Sequence, residues 1–316
     1  MIDNMVRLES DSLRIDIDPG RGADVLSLED RRTGVELLFR TPWRRRADAV
    51  RAGQAPSTTD PRAEWLEQYR GGWQTLCPVA GDGRPVYGAP VGFHGEASRV
   101  PWSVESSGVD SARLKVELFS VPIVIEREIR LRGPQITVSD VLTNVGGTRL
   151  EVDYAHHPAF GGAFLDGPCT IETGASTFVG DPAGGGAVPA GVSVAWPHGI
   201  DITGAHFDLA AVPGPEVRRD VFGYLTDFTR GFAALVNQRL GLGVRLEWDA
   251  EVLPHAWLWE ELNSTTGFPW YERARVVAIE PASVPTSGTD RRSSVLLDPG
   301  TPKQVDLSLT VEDRRM

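Results

Sequence analysis

No segment of the chain reaches the ~18 consecutive apolar residues that a membrane-spanning helix needs. The opening MIDNMVRLES also lacks the basic cluster and apolar stretch of a secretory leader, so a soluble, cytoplasmic protein is expected. Cysteine is scarce: Cys77 and Cys169 are the only two in 316 residues, too few for a disulfide framework, and both are expected to be buried thiols. Positive charge is in deficit, with 32 Lys and Arg against 43 Asp and Glu for a formal charge of −11, which argues against a nucleic-acid partner. A neutral or cationic small molecule fits that balance better. Histidine is limited to six positions and never takes the H-x-H spacing of a strand-borne metal site. Where two histidines are adjacent, at His156 and His157, strand alternation points them to opposite faces, and no metal site is expected.

Helical periodicity is also sparse. ADAVRAG (47–53) and PRAEWLEQYR (61–70) are the convincing candidates, both inside an insertion around 41–70 that could cover one rim of a sheet. Strand signals fill most of the rest. LRIDID (13–18), RLKVELF (113–119), IVIEREIRL (123–131), QITVSDVLT (135–143) and RLEVDYAHH (149–157) alternate apolar and polar residues. The 123–143 segment reads as a hairpin turning at Arg132-Gly-Pro. Residues 161–220, rich in Gly, Pro and Ala, are expected to form long surface loops. Strands resume at FAALVNQ (232–238), VRLEW (244–248), HAWLWEE (255–261), RVVAIEP (275–281) and QVDLSLTV (304–311). With no internal repeat and no linker, a single all-β antiparallel domain over 1–316 is expected.

Four stretches hold polar groups that a bare scaffold does not need. In YRGGWQ, Gly71 and Gly72 allow close backbone approach, and Arg70, Trp73 and Gln74 make up a sugar-binding vocabulary or equally a tight turn beside a core tryptophan. His94 in GFHGE is a ligand group or an ordinary hydrogen-bonded loop histidine. In RLEVDYAHH, Val152, Tyr154 and His156 share one face and Asp153, Ala155 and His157 the other. In RVVAIEP, Ala274, Val276, Ala278 and Glu280 share a face, and desolvation would make Glu280 a strong base unless an arginine holds it as a rim carboxylate.

Taken in order, R-G-G-W-Q, H-G-E, V-L-T-N-V-G, H-H-P-A-F, A-I-E-P and a closing L-D-P-G resemble the aldose 1-epimerase, or galactose mutarotase-like, superfamily from about residue 10 to the end. The resemblance is to its divergent bacterial branch. It implies a large antiparallel β-sandwich, a sugar substrate, anomer interconversion by acid/base ring opening, and no cofactor. His157 matches the general acid of the family's H-P-x-F motif, and Glu280 matches the general base of its E-P motif. His94 and Arg70 match substrate-binding positions, with Gln74 beside them, and Asp227 in YLTDF matches an acidic substrate contact. Ala159 and Gly161 stand where family members carry larger residues, which predicts an altered pocket. Trp257, Trp259 and Glu261 share a face, and either Trp could stack on a sugar ring or belong to the core. The rival from another class is a non-catalytic carbohydrate-binding or sugar-sensing protein on the same scaffold. A hydrolase is disfavoured, because the adjacent Glu260 and Glu261 face opposite ways and cannot flank one bond.

Overall fold

Along IVIEREIRLR and QITVSDVLTN every second side chain is buried, and the strands Ile123–Arg132 and Gln135–Asn144 pair antiparallel across the Gly133-Pro134 turn. This hairpin belongs to a computed structural model that describes residues 5–288 and 295–315. On one side the sheet continues through Ser111–Glu117 and Ser103–Ser107. On the other it runs through Lys303–Asp313, Leu242–Trp248, Arg219–Asn237, His255–Leu262 and Arg275–Ala282. It then passes to Ala155–Gly161, Trp73–Leu76, Asp24–Asp30, Leu13–Asp18 and Val6–Glu9, each pair antiparallel. The far end comes back to the start, where the Glu9 N–H donates to Val109 O at 2.7 Å. The sheet therefore curls nearly closed around one apolar core that includes Leu13, Ile15, Ile129, Leu246 and Leu309. This is the all-β antiparallel architecture expected from the sequence.

Two α-helices occur among the described residues, α1 (Arg44–Arg51) and α2 (Pro61–Gln68), both inside the expected insertion. Asp60 caps α2 by accepting the Ala63 N–H at 2.7 Å, and Pro61 occupies the first turn, where no N–H is needed. Neither helix is long and apolar enough to cross a membrane. Cys77 and Cys169 are both buried and unpaired.

Two expectations need correction. RLEVDYAHH is not one strand: Leu150–Val152 pairs with Val295–Leu297, whereas Ala155–Gly161 joins the main sheet. The change of partner falls at Asp153, whose N–H donates to Pro78 O. Residues 161–220 are not all loop, since Cys169–Gly180 forms a twelve-residue strand against the nineteen-residue strand Arg219–Asn237. Its register shifts between Thr173 and Ala175, so the sequence alternation breaks there and hides the strand.

Candidate active site

Adjacent strands supply the two central side chains. Ala155 pairs with Ala282 and Ala159 with Ala278, which sets His157 and Glu280 opposite each other between those pairs. His157 Nε2 lies 3.5 Å from Glu280 Oε1. Both are buried and line a cavity of about 500 Å³ together with Trp65, Tyr69, His94, Trp259 and Trp270 among others. His156 takes the opposite face, as the alternation required. There Trp73 Nε1–H donates to His156 Nδ1 at 3.1 Å, while His156 Nε2 faces the Tyr154 hydroxyl at 3.4 Å and Asp140 at 3.7 Å. Asp140 in turn accepts from Arg127 at 2.7 and 2.6 Å and from Tyr154. The adjacent histidines thus belong to two environments, a closed polar network and an open cavity.

Single polar atoms of three residues that line the cavity are left without protein partners. Buried polar atoms in folded proteins nearly always have a hydrogen-bond partner, yet His157 Nδ1, Glu280 Oε2 and the Tyr69 hydroxyl have none. Burial raises the Glu280 carboxyl well above its usual range. Burial also lowers His157 to about 4. Sharing one proton, the pair is biased by burial towards a protonated Glu280 and a neutral His157.

The other expected residues divide. His94 lines the cavity, held at φ +60° with its Nδ1 accepting the Gly81 N–H at 3.0 Å and its ring 5.7 Å from that of His157. Trp259 lines it as well, 6.1 Å from the His157 ring and 5.0 Å from Trp270. Trp257, across from Glu280 in register, is fixed by donating to Val284 O at 2.8 Å. Arg70 does not line the cavity; it is ion-paired with Asp18 and, at 3.3 Å, with Asp48. Gln74 is the register partner of His157, but its amide donates to Gly71 O at 2.8 Å and it too is absent from the lining. Asp227 sits exposed at φ +55° beyond the cavity, whereas Asp220 on the same strand lines it. Glu260 and Glu261 both line the cavity; Glu260 is held by Arg219 at 2.7 Å through Oε2 while its buried Oε1 has no partner, and Glu261 accepts from the Ser264 and Thr265 N–H groups.

The double glycine has a backbone role. A Cβ at Gly71 would stand 2.0 Å from Phe39 O and one at Gly72 2.4 Å from Val25 O, both at positive φ. The close approach joins α2 to the sheet and carries Trp65 and Tyr69 onto the small residues Ala159, Ala274 and Ala278. Ala159 packs in one cluster with Phe39, Trp65 and Tyr69, and a Cβ at Gly161 would stand 2.9 Å from Phe39. Sequence reading missed Trp65, Tyr69, Asp220 and Trp270. The one available signal was Tyr69 standing beside Arg70 in YRGGWQ.

No family model matches the sequence, and no curated protein matches it either. Solved structures do match. The Slr1438 protein of Synechocystis aligns at TM-score 0.69 and 18% identity, over 98% of this chain and 96% of that one. A candidate aldose 1-epimerase of Escherichia coli K12 aligns at TM-score 0.68 and 18% identity, over 98% and 99%. A galactose mutarotase-like protein of Lactobacillus casei aligns at TM-score 0.66 and 19% identity, over 98% and 100%. The chain has the galactose mutarotase-like fold. At these identities the likeness carries the fold alone. Within the mutarotase-like fold, the cavity described above lies over the strands Ala155–Gly161 and Arg275–Ala282.

Proposed function

We propose that the protein is an aldose 1-epimerase-like isomerase that interconverts the α and β anomers of a sugar. The observation that carries this reading is the His157–Glu280 pair, buried at 3.5 Å with Nδ1 and Oε2 left open in an aromatic-walled cavity. Aromatic faces suit the C–H surfaces of a sugar ring. In the reactive form the shared proton sits on His157 and Glu280 is a carboxylate. Glu280 takes the proton of the anomeric hydroxyl while His157 protonates the ring oxygen. The bond from anomeric carbon to ring oxygen breaks, and the carbonyl forms. Glu280 is then protonated and His157 neutral, the forms towards which burial shifts each group. Rotation of the aldehyde and reversal of both proton transfers give the other anomer with no net consumption of protons. His94 and Trp259 would hold the ring in place for this exchange.

The test is polarimetry on freshly dissolved α-D-glucose and α-D-galactose. Rotation should relax faster with protein than in buffer, and His157→Ala should abolish the acceleration. Sugar binding without acceleration would instead favour a carbohydrate-binding protein on the same scaffold.

A further inference from the structure

Tyr69 is not one of the two proton-handling groups, yet its surroundings are those of a ligand contact. It is 3% exposed and lines the cavity, and its hydroxyl is buried with no hydrogen-bond partner. Leaving such a group unpaired is unfavourable, so a structural tyrosine here would be better replaced by phenylalanine. The ring is held firmly. It stacks on Trp65 at 4.8 Å and meets the His157 imidazole edge-on at 5.8 Å. Its backbone closes α2, with the N–H donating to Leu66 O and the carbonyl accepting the Thr41 hydroxyl at 2.9 Å. Burial, and secondarily the Glu280 carboxyl, raise the phenol well above its ordinary range, so the group is a neutral donor and acceptor.

Resting on the sugar reading above, we infer that Tyr69 is a specificity-determining contact whose hydroxyl hydrogen-bonds one oxygen of the bound sugar. The Tyr69 hydroxyl, His157 Nδ1 and Glu280 Oε2 then form three polar points on an aromatic floor, the arrangement by which a largely apolar pocket fixes a ligand's orientation. A site built to hydrogen-bond a particular hydroxyl discriminates against analogues that lack it.

The experiment compares wild type with Tyr69→Phe for binding of D-glucose, D-galactose, D-mannose and their monodeoxy derivatives, read by calorimetry. Binding is the readout, so it stands apart from catalysis. Tyr69→Phe should fold with unchanged or higher thermal stability and bind the preferred sugar about tenfold more weakly. On one monodeoxy derivative, the one lacking the contacted oxygen, the two proteins should bind equally. An equal loss on every derivative, no loss on any, or no binding of any of these sugars to the wild type would overturn the inference. Sugar binding with that pattern but no anomer exchange would leave Tyr69 in place and remove the epimerase reading.

Discussion

Replacing His156 and His157 by alanine, one at a time, should separate stability from activity. His156 is fully buried and accepts the Trp73 indole N–H. Its removal orphans that donor, at about 1–3 kcal/mol. It also leaves an imidazole-sized void bordered by Tyr154 and Asp140, and for a buried large-to-small change in a well-packed site the total should be about 3–5 kcal/mol. The His157 ring adjoins the cavity, its Nδ1 has no partner, and water can fill the space, so His157→Ala should cost no more than about 1 kcal/mol. Urea denaturation at neutral pH measures both losses, and anomer exchange per folded molecule measures the second effect. His156→Ala should be destabilised with its exchange rate largely kept, and His157→Ala should be stable with exchange lost. Stability losses within about 0.5 kcal/mol of each other would mean that the two faces are equivalent and would overturn the separation of the two histidines.

Stability should also depend on pH through the central pair, with opposite signs. His157 is lowered from 6.5 to about 4, so its contribution is complete above pH 6.5 and lost as pH falls toward 4, a span of roughly 3 kcal/mol. His157→Gln should therefore flatten the acid limb of a plot of urea midpoint against pH. Glu280 is raised, so its contribution is complete below pH 4.5 and lost as pH rises through its folded value. Glu280→Gln should gain on wild type between pH 4 and pH 8, and a constant difference would contradict the burial argument. Gly72→Ala should cost at least about 2 kcal/mol by thermal unfolding, since it places a Cβ 2.4 Å from Val25 O at φ +90°.

The fold was legible because the half-buried strands alternate cleanly. The Ile123–Arg132 and Gln135–Asn144 strands bury every second residue, and their turn is marked by Gly133-Pro134. The strand Cys169–Gly180 was not legible, because a register shift beside Gly174 interrupts its alternation in a Gly-rich context. At the site, alternation separated His156 from His157 correctly, and the small residues leading to Glu280 marked its face. Arg70, Gln74 and Asp227 are different. Gln74 turns back on the Gly71 carbonyl three residues before it, whereas the pairing of Arg70 with Asp18 and the positive φ of the exposed Asp227 depend on how α2 and the strand Arg219–Asn237 pack. Tyr69 escaped notice for the same reason, because its exposure to the cavity depends on α2 docking over Ala159 and Ala278.

The most direct test of the central claim is saturation-transfer NMR on the α and β anomers of a panel of free aldoses, with wild type and with Glu280→Gln. Exchange should be accelerated on at least one sugar with wild type and should run at only the spontaneous rate with Glu280→Gln. Acceleration that survives in Glu280→Gln would contradict the assignment of the base, and no acceleration with wild type on any sugar would contradict the epimerase reading itself.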